Sequence, residues 1–266
     1  MKVGADCKVD AMKLLALSTL MATAMTLAAP SAFAETMTWK VGRDTREAIV
    51  YLPTVPTPSG KVPLVFSFHG RGDEMDNFQR TGMHLAWPQA VVVYFQGLVP
   101  PGRLRGWQSE KGQDDDRDLK LVDAALASFR QKFNVDDNRI YATGFSNGAN
   151  FTYLLWAERP DVFAAYAPVA ARLAPSVQLT QPKPLFHVAG LQDPQIRFVE
   201  QEAAMEAAIR ANGVAGTDTS CGTGCTIYGA KTAAPVMTWI HPRGHIYPGD
   251  ASDRITTFFR DHPRKP

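Results

Sequence analysis

The sequence predicts an α/β fold with a mostly parallel central sheet and helices on both of its faces. Two observations carry that prediction. Short apolar runs at residues 62–68, 90–95 and 185–190 are too brief for helices and too continuous for strands with one wet face, so they read as strands buried on both sides. Between them lie segments whose apolar residues recur at three- and four-residue steps, and strands alternating with helices build parallel sheets. Taken in order, residues 38–41 and 46–52 form a leading strand pair, and residues 53–60 (PTVPTPSG) form a proline-rich loop. The strands at 62–68 and 90–95 follow. A long helix spans 117–133, where Leu119, Val122, Leu126, Phe129 and Phe133 share one face. Residues 140–144 are a strand, 147–158 a helix, 185–190 a strand, 198–209 a helix, 236–240 a strand and 250–259 a terminal helix. No internal repeat and no Ser/Thr/Pro-rich tether interrupts this pattern, so residues 35–266 are expected to form one domain.

Composition narrows the function classes. The 266 residues are 45% hydrophobic and 20% charged, which is ordinary globular usage. Lys and Arg number 28 against 26 Asp and Glu, a balance that points to no nucleic-acid partner and no polybasic membrane surface. Residues 14–34 carry no charge and end in Ala32-Phe33-Ala34, behind Lys2, Lys8 and Lys13. This is the pattern of a secretory signal peptide over residues 1–34, cleaved after Ala34, with Met1 or Met12 as the start. A membrane anchor is the alternative for so long an apolar stretch; Pro30 and the small residues favour cleavage, which leaves a secreted, periplasmic or extracellular chain without a membrane span. Beyond the leader the cysteines are Cys221 and Cys225, separated by Gly222-Thr223-Gly224. In an exported chain the pair is expected to close a disulfide, the glycines letting so small a loop form.

The chemistry centres on Gly144-Phe145-Ser146-Asn147-Gly148, set between a predicted strand and a predicted helix. A Gly-x-Ser-x-Gly pentapeptide arises by chance in about one chain in ten of this size, so the motif alone is weak. Its setting adds weight, because a sharp strand–turn–helix bend lifts the serine hydroxyl clear of the sheet. A serine needs a base. His245 lies in a glycine- and proline-flanked loop after the last apolar run, whereas His241 ends a strand, His187 lies inside one, and His84 and His262 sit in helical or terminal segments. Asp193, in the loop after residue 190, is the candidate that orients the imidazole, with Asp161, Asp250 and Asp253 as competitors. The order Ser146, Asp193, His245, each after a strand, is that of Ser–Asp–His hydrolases with a nucleophile elbow.

A tetrahedral intermediate also needs donors for its oxyanion. The backbone N–H of Asn147 follows from the elbow, and the N–H of Arg71, in His69-Gly70-Arg71-Gly72 after the 62–68 strand, is the second candidate. His69 is expected to brace that loop. Residues 114–118 (DDDRD) precede the long helix and are expected to cap it, with a calcium site as the alternative. Trp107 either lines the acyl pocket or joins the core.

These motifs have a familiar form. The chain resembles the secreted esterase group of polyhydroxybutyrate depolymerase-like proteins, feruloyl esterases and acetyl xylan esterases. The resemblance rests on Phe68-His69-Gly70, Gly106-Trp107-Gln108, Asp116-Arg117-Asp118-Leu119, residues 139–149 (RIYATGFSNGA) and residues 244–249 (GHIYPG). It implies an α/β-hydrolase fold, a triad of Ser146, Asp193 and His245, no cofactor and no metal, and hydrolysis of carboxylic esters through an acyl-enzyme. Short-chain or hydroxyalkanoate esters and oligomers are the first expected substrates. Feruloyl or acetyl xylan esters, or acyl transfer by the same triad, are the alternatives. Two departures stand out: Arg71 occupies a position where many relatives carry a small residue or cysteine, and Tyr247 one where tryptophan is common. Trp107 and Tyr247 are the expected substrate-binding residues.

Overall fold

The computed structural model describes Met1 and residues 34–264. Residues 2–33 of the leader assigned to residues 1–34 lie outside the described residues. The chain forms β1 (Ala34–Val41), β2 (Asp44–Tyr51), β3 (Val62–Phe68), α1 (Met75–Phe78), α2 (Met83–Ala86), β4 (Val91–Phe95), α3 (Arg117–Lys132), β5 (Val135–Phe145), α4 (Asn147–Glu158), β6 (Ala165–Val169), β7 (Leu185–Gly190), α5 (Phe198–Ala211), β8 (Asp218–Gly222), β9 (Cys225–Tyr228), β10 (Val236–His241) and α6 (Ala251–Asp261). The strands make one sheet in the order β1-β2-β4-β3-β5-β6-β7-β10-β9-β8. Its middle, β4 through β10, is parallel; the β1–β2 and β8–β9 hairpins are added antiparallel at the two edges.

Alternation along the central strands divides the core between two faces. Leu64, Phe66, Phe68, Val91, Val93 and Phe95 point to the side covered by α3, α4 and α5, where Leu126, Phe129, Phe151 and Ala204 meet them. Val65, Val92 and Tyr94 point to the side covered by α1, α2 and α6, against Met75, Met83, Ile255 and Phe259. Most elements fall where the apolar spacing predicts. The strand β6 does not announce itself, because its AYAPV sequence is alanine-rich and carries Pro168, a residue that usually argues against a central strand. The β8–β9 hairpin was also unpredicted; its turn is closed by a Cys221–Cys225 disulfide, the Cα atoms lying 5.0 Å apart.

The acidic stretch before α3 differs from its expected capping role. Asp114, Asp115 and Asp116 adopt left-handed backbone, at φ 51°, 58° and 52°. A capping residue needs extended backbone to aim its oxygen at the first helical N–H groups, so Asp116 occupies the cap position without capping. Gln108 does the work instead: its Oε1 accepts the N–H groups of Asp118 at 3.0 Å and Leu119 at 3.2 Å. Asp118 is turned inward to an ion pair with Arg46 at 2.8 Å, both side chains fully buried.

Candidate active site

Four loops meet at the carboxyl-terminal edge of the parallel strands, the edge at which open α/β sheets bind their ligands. Ser146 follows β5, Asp193 follows β7, His245 follows β10 and His69–Arg71 follows β3. Since β3 and β7 lie on opposite sides of β5, the glycine loop flanks Ser146 on one side and the acid and base approach from the other.

Ser146 sits at φ 54°, ψ −116°, a strained conformation for a residue with a side chain. The bend is held by its N–H, which donates to Val169 C=O at 2.9 Å, and by the close approach of strand and helix. A Cβ on Gly144 would stand 2.5 Å from the backbone of Gly148, and one on Gly148 would stand 2.2 Å from Phe68 O. No other residue fits at either place. The glycines of the motif are therefore required by packing.

His245 reaches its place by a loop that doubles back over the end of β7. Gln192 N–H donates to Arg243 C=O at 3.1 Å and Leu191 N–H to His241 C=O at 2.9 Å. His245 Nδ1 donates to Asp193 Oδ2 at 2.7 Å, and its ring lies on Phe145, centroids 4.8 Å apart. Asp193 is surrounded by donors: Oδ1 accepts the N–H groups of Gln195 at 2.8 Å and Ile196 at 2.9 Å, and Oδ2 also accepts Gln201 Nε2 at 3.0 Å. That donor set fixes the His245 tautomer, with the proton on Nδ1 and the lone pair of Nε2 left as acceptor. Among the described residues neither Nε2 nor Ser146 Oγ has a hydrogen-bond partner; in ligand-free sites such bonds tighten when substrate binds.

Gly70 comes close to the serine: a Cβ there would lie 3.6 Å from Ser146 Cβ, and Arg71 N–H is the next donor along. His69 braces this loop, as expected. Its Nε2 accepts Gly97 N–H at 2.9 Å and its Nδ1–H donates to Gly70 C=O at 2.7 Å, while burial holds the imidazole below its usual pKa. Trp107 Nε1–H donates to His69 C=O at 2.8 Å. Asn147 clips the same region, its Oδ1 accepting Trp107 N–H at 2.7 Å and its Nδ2 donating to Trp107 C=O at 3.1 Å.

The two aromatic residues expected at the substrate both make packing contacts. Trp107 touches the groove beside Ser146, yet it is only 3% exposed, its indole stacked on Phe151 in the core. Tyr247 is edge-on to Phe78 and Phe145, and its hydroxyl is within 3.1 Å of Ser252 Oγ. Both rings pack against other aromatic side chains, and Trp107 also lines the groove beside Asn147. Sequence reasoning missed Gln201, Gln108, the Asn147 side chain and the Arg46–Asp118 pair. Each is a polar residue with no local mark of burial.

A serine on a strained elbow beside an imidazole bonded to a carboxylate is an arrangement that can run nucleophilic acyl transfer. The fold that carries them is the α/β-hydrolase fold. It superposes on an acetyl xylan esterase from Aspergillus awamori (TM-score 0.63, 14% identity, 85% of this chain and 99% of that one) and on a Bacillus cereus carboxylesterase (TM-score 0.61, 18% identity, 81% and 94%). At these identities the likeness is one of fold. No protein-family profile matches the chain. In sequence it is similar to a bifunctional acetylxylan esterase/xylanase of Neocallimastix patriciarum (28% identical over 60% of this chain and 23% of the relative). It is similar also to a putative esterase of Nocardia uniformis (32%, over 52% and 41%) and a probable feruloyl esterase C of Aspergillus clavatus (29%, over 53% and 56%). These relatives fall in the esterase group that the motifs resemble. The matches span less than two thirds of each relative's length.

Proposed function

We propose that this chain is an exported serine hydrolase of carboxylic esters, with feruloyl or acetyl esters of plant polysaccharide as its substrate class. The carrying observation is the strained Ser146 elbow beside a His245–Asp193 pair bonded at 2.7 Å. Ser146 Oγ attacks the ester carbonyl while His245 Nε2 takes its proton. Asp193 stabilises the imidazolium, and the N–H groups of Asn147 and Arg71 receive the oxyanion. His245 then protonates the departing alcohol. Water, activated by the same imidazole, releases the acid from Ser146. The names of the relatives favour the polysaccharide-ester alternative over the hydroxyalkanoate esters expected first from the motifs. Export fits the leader pattern and the Cys221–Cys225 bond, and cleavage after Ala34 would remove only the first residue of β1. Among the described residues no helix is long and apolar enough to cross a membrane.

The test is hydrolysis by purified residues 35–266 of methyl ferulate, acetylated xylan, short 4-nitrophenyl esters and 3-hydroxybutyrate oligomers. Ser146→Ala is expected to reduce turnover by at least about 10³-fold with the fold intact by circular dichroism, and retained turnover would refute the assignment. Product analysis with added alcohol separates hydrolysis from acyl transfer.

A further inference from the structure

A groove of about 320 Å³ opens beside Asn147, the residue after Ser146, and is lined by Asn147 and Arg71, with Leu104, Arg103, Arg117 and Asp114 along its walls. Its charges are uneven. Three arginines face Asp114, the single carboxylate in its lining among the described residues. Asp114 is already engaged by Arg103 and, at 3.9 Å, by Arg117. Arg117 also has Asp118 at 3.4 Å and Gly106 C=O at 3.2 Å. Nearby Arg105 is held by Gly97 C=O at 3.0 Å and Glu74 at 3.4 Å. Arg71 differs: its guanidinium is exposed and has neither an ion pair nor a side-chain hydrogen bond among the described residues.

Its backbone, by contrast, is fixed. Asp73 N–H donates to Gly70 C=O at 3.2 Å, and Gly72 stands at φ +78°, the left-handed third position of a tight turn. Gly72 N–H fastens that turn to Arg105 C=O at 2.8 Å. The second residue of such a turn projects from its corner. An exposed guanidinium with no ion pair among the described residues thus sits on the residue next to Gly70, whose own Cβ position is 3.6 Å from Ser146 Cβ.

We propose that Arg71 forms an anion subsite of this active site, selecting esters that carry a carboxylate within one arginine side-chain length of the reacting carbonyl. The inference rests on the ester-hydrolase reading above and names its substrate class more narrowly. A planar guanidinium matches a carboxylate with two parallel hydrogen bonds, and the groove's excess positive charge draws an anion toward it. Two kinds of ester supply that chemistry: half-esters of dicarboxylic acids, with the anion on the acyl side, and acyl esters of uronate-bearing oligosaccharides, with the anion on the alcohol side.

Two matched substrate pairs separate them: the mono-4-nitrophenyl ester of glutaric acid against 4-nitrophenyl pentanoate, and acetylated xylo-oligosaccharides with against without a uronate branch. The readout is the ratio of kcat/KM, anionic over neutral, which a general loss of activity leaves unmoved. In one pair the wild-type ratio is expected to exceed one by about tenfold at low salt, as for one charge-assisted hydrogen bond. Arg71→Ala should bring it to near one, Arg71→Lys should keep only part of it because an ammonium cannot make the paired bonds, and about 1 M salt should erase it in the wild type, where screening acts within about 3 Å. The responding pair tells which side of the ester carries the anion. A wild-type ratio near one in both pairs, or a ratio unmoved by Arg71→Ala and by salt, overturns the subsite alone. Failure of a fluorophosphonate to label Ser146 overturns the hydrolase reading, and the subsite with it.

Discussion

Asp193 depends on a residue that never meets the substrate. Gln201 Nε2 bridges Asp193 Oδ2 at 3.0 Å and Ile196 C=O at 2.7 Å, so it fixes both the carboxylate and the turn that carries it. Behind it Tyr153 OH lies 2.8 Å from His187 Nδ1, and the Gln201 side chain faces the buried His187 ring. Removing the Gln201 amide leaves Asp193 one donor short, with Gln195 N–H, Ile196 N–H and His245 Nδ1–H still holding it. Gln201→Leu is expected to lower kcat about 10–100-fold with little change in KM, the usual cost of losing such a supporting bond. Stopped-assay kinetics beside a thermal melt check it; unchanged kcat in a folded variant would show that the two backbone N–H groups hold Asp193 by themselves.

At the scale of elements, what matters is how closely loops cross the strand ends. The His245 loop passes over β7 at Gly190, where a Cβ would stand 2.6 Å from Gly244 O and 2.9 Å from Arg243 O. Both contacts are backbone, which cannot swing aside as a flexible side chain could. Gly190→Ala is therefore expected to push the loop outward while the sheet survives, and if His245 is the base proposed above, a displacement of about 1 Å there costs about 10²-fold in rate. Activity together with the far-ultraviolet spectrum tests this; full activity would mean that the loop yields without moving His245. The opposite wall is pinned by different means. The buried Arg46–Asp118 pair and the Gln108 cap tie β2, the segment before α3 and α3 itself into one unit under the groove.

For the whole molecule, the buried imidazoles set the response to acid. His187 is fully buried in β7, and desolvation pushes its pKa down to about 3; half-buried His84 is pushed down to about 4. An unfolded histidine titrates near 6.5, so between about pH 6.5 and 3 the unfolded chain binds a proton that the folded chain refuses. Stability is then complete above about pH 6.5 and falls as the pH drops, by about 2 kcal/mol at pH 5 from His187 alone. Urea midpoints at pH 7.5 and 5 should differ by less in His187→Gln than in the wild type. Equal differences would assign the acid sensitivity to other groups.

The sequence by itself determined the sheet-and-helix alternation, the serine elbow, the histidine loop and the disulfide. Each of these is decided within a few residues, by an apolar run, a glycine that alone fits a bend, or two cysteines close enough to meet. That Ser146, Asp193 and His245 each follow a strand was legible for the same reason, since each lies in a loop of its own. Only the tertiary structure decided that Gln108 rather than Asp116 caps α3, that Trp107 stacks on Phe151, that Gln201 holds Asp193, and that Arg71 has no counter-ion among the described residues. A polar side chain's role depends on which partners reach it once water is excluded. Those partners come from strands and helices far away in the chain.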